Sequence, residues 1–427
     1  MHFLLYSAGS FFAILFIFRI CIKHSYTNKE KLLISLASII PLGKLIYFPI
    51  PGLMGLKIQF IFACLAGLTA LVSGILVRQW ILLFGLIALP FFSVIWLEDY
   101  EFFFANNLYG DGQFDSVLLR LVSLFFLISF MFFVANTIKK NLFLIRDVSE
   151  AFVSGTIASC FVGFVIFIGV WYQVLSVQDL LPISSDTHVI DKFYRFNPGA
   201  NVNEFSMILA FSIFMLPLTG YSAIKKRILF LVFLILEFAT LTRASWLALL
   251  FSFLVLFFLK KHSLNKIIVG SLTLVCLCVM SYILIISDPL LRDLFVSRTS
   301  FDIGVSGYER LEKFNYVFSR LGASEFRLFF GYGWSTNLYV HNVYLQLLYE
   351  VGLLGLFVFC SYFLYLYNRV LKITTQRFKE FSISTLVFIA VSAGAHHTFY
   401  HVQNWFMIAL VIVTTNNYLY NYKSRIN

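Results

Sequence analysis

Long apolar runs recur along this 427-residue chain, and they constrain its fold more than any motif does. A transmembrane helix needs roughly 20 apolar residues, and backbone groups in lipid must be satisfied internally, which favours helices over strands. The sequence therefore predicts an all-α polytopic membrane protein with about 12 or 13 transmembrane helices. The predicted spans lie near 3–22, 32–50, 58–77, 79–97, 116–138, 148–175, 203–222, 228–242, 244–259, 267–286, 342–368, 380–397 and 403–421.

The composition agrees with one transmembrane domain over residues 1–427. Hydrophobic residues make up 60% of the chain and charged residues 12%, whereas a soluble domain carries about 25% charged residues. The first apolar segment is followed by Cys21-Ile22-Lys23 and by no small-residue cleavage site, so we expect a retained span rather than a signal peptide. The span count is least secure at the two short segments 228–242 and 244–259.

The net charge of +11 is arranged in clusters between the spans. The positive-inside rule assigns such clusters to the cytoplasm, which predicts an external N-terminus, a cytoplasmic C-terminus and no binding of nucleic acid. The clusters contain Lys23, Lys29 and Lys31; Lys139, Lys140 and Arg146; Lys225, Lys226 and Arg227; Lys260, Lys261 and Lys266; Arg369, Lys372, Arg377 and Lys379; and Lys423 and Arg425.

This topology places two informative loops on the external face, at 176–202 and 287–340. The second is the longest polar stretch, and its pattern predicts a helix from about 307 to 321. A long loop with structure of its own is more often functional than a tether. The chain contains neither a phosphate-binding loop of the Walker type nor a GxGxxG element, which argues against nucleotide-driven chemistry. All six cysteines lie in or beside apolar runs, so we expect packing residues and no disulfide framework.

Three residues invite a chemical interpretation from position alone. His341 lies where the long loop meets an apolar helix; with an ordinary pKa near 6.5 it suits a general base, and the alternative is an interfacial histidine. Arg243 lies between two apolar stretches, either as an anion clamp or as an arginine that snorkels to headgroups. Arg310 is either part of a site or a partner of neighbouring acidic residues on a solvated helix.

Other polar groups carry weaker signals. Arg195 precedes a Pro-Gly turn and an asparagine-rich helix cap, so a substrate contact and a solvated position are equally reasonable. His397 and His401 have the spacing of helical metal ligands. We expect that no carboxylate lies near them or His396, and we expect no metal. Glu98, Asp99 and Glu101 are interpreted as an acidic rim.

Taken together, these segments resemble the family of O-antigen polymerases and O-antigen ligases of Gram-negative envelopes. The resemblance covers roughly residues 190–365. It rests on Leu241-Thr242-Arg243-Ala244-Ser245, on Gly307-Tyr308-Glu309-Arg310, and above all on Gly331-Tyr332-Gly333 with His341-Asn342 and Glu350-x-Gly352-Leu353-Leu354-Gly355. The chain departs from the family pattern in having Thr242 where serine usually precedes the arginine, and in a span count of 13 where 12 is usual.

The resemblance implies a membrane glycosyltransferase bundle with the large periplasmic loop folded over a cavity in the bacterial inner membrane. It implies an oligosaccharide donor on undecaprenyl pyrophosphate, with membrane lipid as a further partner and a chain-length regulator as a possible protein partner. Arg243 and Arg310 match the arginines that hold the pyrophosphate, and His341 matches the general base. Arg195, Asn342 and Tyr308 are further candidates for substrate contact, and no cofactor or metal is implied.

Within that family we expect a polymerase rather than a ligase, because 52 phenylalanines and loosely conforming motifs are typical of a divergent, serotype-specific enzyme. A ligase would use the same chemistry with lipid A–core as acceptor. A transporter of lipid-linked oligosaccharide is the alternative from another class. It would show cationic residues deep in several spans and pseudo-symmetric halves, whereas the informative polar residues here lie outside, in the second half of the chain.

Overall fold

The structure is a computed structural model. It describes residues 2–21, 25–45, 47–50, 53–74, 88–96, 117–141, 143–172, 174–175, 189–190, 193–198, 201–259, 305–334, 340–395 and 401–426. The fold is predominantly helical there. The helices are α1 (His2–Cys21), α2 (Asn28–Ile39), α3 (Ile58–Val72), α4 (Val117–Lys140), α5 (Leu144–Trp171), α6 (Val202–Met215), α7 (Ala223–Ala239), α8 (Arg243–Leu259), α9 (Val305–Gly322), α10 (Glu325–Phe330), α11 (Val343–Leu371), α12 (Gln376–Ala393) and α13 (Val402–Ile426).

The described residues contain three helices long and apolar enough to cross a membrane. They are Arg120–Lys139 within α4, the whole of α5 and the whole of α11. Shorter apolar helices occur at Phe11–Ile20, Gln59–Val72, Val202–Leu218, Arg243–Leu259 and Val402–Thr415. By length and composition, the described part of the chain therefore has the character of a helical membrane protein. The predicted span at 267–286 and most of that at 79–97 lie outside the described residues, so the total of 12 or 13 stays a prediction.

The predicted helical span at 32–50 is wrong in its second half. Helix α2 ends at Ile39, a 3₁₀ segment follows at Ile40–Leu45, and Tyr47–Ile50 (β1) then pairs antiparallel with Leu53–Lys57 (β2). Pro41 lacks the N–H that a continuing helix requires, and Gly43 adopts a φ of 51°, which glycine tolerates most easily. A second small ladder joins Val189–Ile190 (β3) to Phe193–Tyr194 (β4).

The helix predicted within the long loop is confirmed as α9. Its apolar residues Val317 and Leu321 pack against Tyr332, Val340 and Tyr349 in a small core, separate from that of the main bundle. Ser324 caps α10, since its hydroxyl accepts a hydrogen bond from the Arg327 amide at 3.4 Å. The part of the loop that precedes residue 305 lies outside the described residues.

Phenylalanine dominates the core of the main bundle. The Phe406 ring of α13 stacks with the rings of Phe130 in α4 and Phe152 in α5, with centroid separations of 6.3 and 5.8 Å. Helix α12 packs along α8, and α13 packs along α4. Offset stacking of this kind adds a modest stabilisation to the burial of the rings. The first and second halves of the chain therefore share one core.

One end of the bundle collects the starts of four helices and the ends of two, and we call it the site end. The Phe196 amide, ahead of α6, donates to the Ala239 carbonyl at the end of α7 at 3.0 Å. The Asn342 amide group, ahead of α11, donates to the Gly394 carbonyl after α12 at 2.8 Å. His401, ahead of α13, lies 3.6 Å from Glu204 in α6. Helix α8 begins directly after the turn that follows α7.

The opposite end, called the basic end, brings together residues of the predicted cytoplasmic clusters. Glu150 of α5 pairs with Arg146 at 3.0 Å and accepts from the Gly220 amide, between α6 and α7, at 2.8 Å. Burial, and then the positive charge of Arg377, lowers the pKa of Lys226. The starts of α5, α7 and α12 therefore lie together, as the alternation of basic clusters predicts.

Candidate functional site

Arg195 is a buried clamp on the turn between α7 and α8. Its side chain is only 7% exposed. The guanidinium Nε donates to the Thr240 carbonyl at 2.8 Å, and one terminal nitrogen donates to the Thr242 hydroxyl at 2.9 Å. A cation is favoured at this place, because the last carbonyls of a helix carry partial negative charge. We call residues 240–243 the corner. These contacts give Arg195 a positioning role, and its contact with substrate stays a prediction.

The corner presents Arg243 to the outside of the bundle. Leu241 adopts a φ of 54°, a left-handed conformation uncommon for leucine, and it ends α7 abruptly. Thr242 is buried, and Arg243 is the first residue of α8 and is exposed. The sequence therefore turns sharply within three residues and directs the next side chain outward. This placement fits either an anion clamp or a headgroup anchor.

The glycine motif 331–333 holds the loop against a break in α11. Gly352 has a φ of 69° and interrupts the helix, and the amides of Tyr332 and Gly333 donate to the carbonyls of Tyr349 and Glu350 at 2.8 and 2.9 Å. A Cβ on Gly331 would collide with the backbone of Glu350. The motif therefore holds the two segments together by direct backbone contact. Such a close approach requires glycine, which has no side chain, at the crossing in both segments.

We call residues 331–334 and 340–342, with 349–352, the joint. Asn342 caps α11 there, because its Oδ1 accepts from the Leu345 amide at 3.1 Å, while its amide nitrogen reaches Gly394. The side-chain oxygen Oε1 of Gln346 accepts a hydrogen bond from the Val340 amide at 3.0 Å. The side-chain nitrogen Nε2 of Gln346 donates to the Glu350 carboxylate at 2.6 Å. Both side chains fix the backbone on either side of His341, and a direct contact of Asn342 with substrate stays a prediction.

His341 is a half-buried residue held in an unusual backbone conformation. Its φ is 56°, and with Leu241 it forms the full set of non-glycine residues with positive φ in the described part of the chain. Histidine tolerates this region better than most residues do. Such conformations persist where the surroundings over-determine them, and they concentrate at functional sites. The capped helix and the glycine contacts of the joint supply that constraint.

The expectation that His341 keeps an ordinary pKa is wrong. Burial, and then the positive charges of Arg310 and Lys313, lowers the pKa of His341 to about 4. Both effects disfavour the protonated ring. The imidazole is therefore neutral near pH 7 and has a lone pair available to accept a proton. A bound anion would oppose the two cations and raise its basicity again.

This electrostatic coupling also locates Arg310. The side chain is exposed on α9, one turn before Lys313, and both charges reach His341 from the loop helix. Two of the three leading candidates, His341 and Arg310, are therefore within electrostatic range of each other. Tyr308 lies in the first turn of α9, and its side chain lies outside the described residues. Lys313 was missed in the sequence, although its spacing of three residues from Arg310 is the signal that would have identified it.

Two carboxylates at the site end were also missed. Glu204 Oε1 lies 3.6 Å from His401 Nε2, so the expectation that no carboxylate accompanies His401 is wrong. Glu237 is fully buried, and its Oε1 accepts a hydrogen bond from the Ser206 hydroxyl at 2.6 Å. Acidic residues inside apolar helices are the signal that would have identified both. His396, His397 and Glu98–Glu101 lie outside the described residues.

The described residues contain no group of three or more histidine, cysteine or acidic side chains that could hold a metal. Cationic side chains and helix starts accompany the two carboxylates at the site end. Arg243, Arg310 and Lys313 lie there, and the starts of α6, α8, α11 and α13 add partial positive charge. The imidazole of His341 lies within the electrostatic range of Arg310 and Lys313. Such an arrangement can bind a multiply charged anion and accept a proton from a nearby hydroxyl.

No family model matches this sequence, and no curated protein is significantly similar to it.

Proposed function

We propose that the protein is an O-antigen or related surface-polysaccharide polymerase. It would join oligosaccharide repeats carried on undecaprenyl pyrophosphate, at the periplasmic side of a bacterial inner membrane. The observation that carries the proposal is the half-buried His341, held at a positive φ within the electrostatic range of Arg310 and Lys313. It lies at the same end of the helical bundle as Arg243. The family resemblance of the motifs supplies the substrate class.

The proposed reaction is a single displacement of undecaprenyl pyrophosphate. A sugar hydroxyl of the acceptor repeat attacks the anomeric carbon of the donor, and a carbon–oxygen bond forms as the bond from that carbon to the pyrophosphate oxygen breaks. His341 takes the hydroxyl proton, and the pyrophosphate leaves with the bonding electrons. Arg243 and Arg310 stabilise its developing charge, a task that guanidinium forks perform well in a poorly solvated place.

The chemistry of the compartment supports this reaction. Neither ATP nor a nucleotide sugar is available outside the cytoplasmic membrane, so the activated bond must already be present in the lipid-linked donor. The site end provides cations for its pyrophosphate, and apolar helices provide a surface for its polyprenyl tail. A chain-length regulator would be a protein partner by analogy with the family.

Two other functions use some of the same features. A ligase would transfer the finished polysaccharide to lipid A–core with the same residues. A transporter of lipid-linked oligosaccharide would need cations along a path through the bundle, whereas the cationic candidates described here lie at one end. The polymerase is preferred because of the divergent motifs and the phenylalanine-rich composition.

A reconstituted assay separates the three functions. Purified protein in vesicles is given a lipid-linked repeat, alone and with lipid A–core, and the products are resolved by gel and mass spectrometry. Lengthening of the lipid-linked chain is expected for the polymerase. Transfer only to lipid A–core would replace it with the ligase, and translocation without any transfer would replace it with the transporter.

A further inference from the structure

Helix α10 carries three large apolar side chains on its outer surface. Phe326, Phe329 and Phe330 are 50%, 54% and 37% exposed. The remaining face of the helix is used by the protein, because Leu328 packs in the small core and the Arg327 guanidinium lies over the Tyr332 ring at 4.8 Å. One face of this six-residue helix is therefore packed against the protein, and the other is an exposed apolar surface whose contact with water is unfavourable.

That surface is continuous with the exposed strip of α11. The Phe329 carbonyl lies against Gly352, in the position that a Cβ would occupy. From Val343 to Gly352 every residue of α11 is buried or half-buried, and exposure begins at Leu353 and Leu354 and continues at Phe357. We call Phe326, Phe329, Phe330, Leu353, Leu354 and Phe357 the phenylalanine patch.

The length of α11 fixes the depth of the patch. The segment from Leu353 to Leu371 is about 28 Å long at about 1.5 Å of rise per residue, close to the roughly 30 Å of a bilayer core. Arg369, in the last turn of α11, marks the interface at the basic end, since cationic side chains lie at headgroup level. The opposite boundary of the core then falls at the break at Gly352, where α10 packs.

We propose that α10 lies at the bilayer boundary of the site end, with Phe326, Phe329 and Phe330 inserted among lipid acyl chains beside the start of the lipid-facing surface of α11. The partner of this surface is the membrane leaflet itself. Although α10 belongs to the loop predicted to be external, it is an interfacial element. The joint that follows it is thereby held at headgroup level, where the phosphates of any lipid-linked molecule lie.

Photo-crosslinking in lipid vesicles tests the placement. The photoreactive amino acid p-benzoylphenylalanine replaces Phe326 or Phe329 in separate variants of the full chain. Matched references replace Phe357, exposed on α11, and Glu312, exposed on α9. Phospholipid adducts are expected by mass spectrometry at 326 and 329, as at 357, and not at 312. A lipid adduct at 357 with none at 326 or 329 would overturn the proposal, as would crosslinks between two copies of the chain.

A second measurement covers the case in which the bulky probe is not tolerated. Phe329→Cys and Glu312→Cys are exposed to a membrane-impermeant maleimide in intact vesicles, beside the parent chain. We expect Glu312→Cys to react, and Phe329→Cys to react only after detergent is added. Equal reaction of the two thiols before detergent would show that α10 is in water. Neither measurement requires sugar transfer. The proposed position of α10 can therefore be disproved while the proposed function stands, and the proposed function can be disproved while the position of α10 stands.

Discussion

The corner and the joint are two turns at the same end of the bundle, and each places a left-handed residue two positions ahead of a helix. Leu241 precedes Arg243 at the start of α8, and His341 precedes Val343 at the start of α11, with φ angles of 54° and 56°. In the corner the strained residue is buried and the candidate for chemistry comes two residues later. In the joint the strained residue is itself the candidate.

The two turns are stabilised by different means. The corner depends on one buried guanidinium that reaches from Arg195 to Thr240 and Thr242. The joint depends on backbone contacts around Gly331 and Gly352, together with the capping side chain of Asn342. A clamp made by side chains tolerates a conservative substitution, whereas a crossing of two backbones does not tolerate even a methyl group. The predictions below separate these two behaviours.

The largest effect is expected at the strained residue of the joint. His341→Asn removes the proton acceptor but keeps a residue that tolerates positive φ, so the protein should remain folded while polymer formation falls by about 10²–10⁴-fold. Product length in the reconstituted assay measures this. His341→Ala should lose as much activity and also some stability, because alanine resists the left-handed region. Undiminished polymer from the asparagine variant would remove His341 from the chemistry.

A methyl group at the crossing should unfold the joint. Gly352→Ala combines a positive φ with a collision against the Phe329 backbone, and we expect a loss of about 3 kcal/mol or more in the free energy of unfolding. Thermal unfolding of the purified protein in detergent measures it. Gly74→Ala isolates the effect of a positive φ without a collision and should cost about 1–2 kcal/mol.

Gly322→Ala completes this series, because open space surrounds Gly322 and its φ is ordinary. It should leave stability unchanged or slightly improved. Equal stability of the Gly352→Ala and Gly322→Ala proteins would contradict the backbone account of the joint.

In the corner, the shape of the exposed cation should matter as much as its charge. Arg243→Lys keeps the positive charge but loses the planar fork that binds two oxygens of a phosphate, and activity should fall by about 10²-fold. Initial rates in the reconstituted assay are the readout, with the amount of folded protein as control. Wild-type activity in this variant would identify Arg243 as a headgroup anchor.

The stability of the corner should depend on the hydrogen bond between Arg195 and Thr242 rather than on the size of residue 242. Thr242→Val has nearly the same shape but removes the acceptor for the buried Arg195 guanidinium, which should cost about 1–3 kcal/mol. Thr242→Ser retains the hydroxyl and should cost much less. Thermal unfolding of the three proteins decides the matter, and equal stability of the valine and serine variants would mean that the hydrogen bond is unimportant.

The smallest effect concerns the pH dependence of the joint. The pKa of His341 is about 4 in the free protein, below the ordinary 6.5, so kcat/KM should fall only as the pH drops towards 4. Lys313→Met removes one of the cations that lower this pKa and should move the acidic limb to higher pH. Activity measured from pH 4 to 8 in both proteins checks the direction. An unmoved limb would separate Lys313 from His341.

The same pKa predicts how acid affects stability. Because the folded pKa of His341 lies below its unfolded value, the unfolded chain binds more protons between pH 4 and 6.5. The contribution of this residue to stability is therefore complete above about pH 6.5 and declines as the pH falls towards 4. This direction distinguishes the joint from a turn whose histidine is stabilised in its charged form.

The long apolar runs of the sequence correctly predicted several of the helices. The predicted spans at 116–138, 148–175 and 342–368 coincide closely with α4, α5 and α11, because a helix in lipid is specified locally by its own hydrophobicity and hydrogen bonds. The helix predicted from about 307 to 321 in the long loop corresponds to α9. The error at 32–50 arose because hydrophobicity alone outweighed the breaking effect of Pro41 and Gly43.

What the tertiary structure decided were the contacts between segments distant in sequence. The sequence alone gave Arg195 two equal interpretations, and only the fold brings it against Thr240 and Thr242. Likewise the pKa of His341 depends on burial and on charges about thirty residues away in the chain. The sequence by itself determined most of the long apolar helices, and it showed which residue types are unusual in them. The packing determined their neighbours, because electrostatic and hydrogen-bond energies depend on distances in space rather than on positions along the chain.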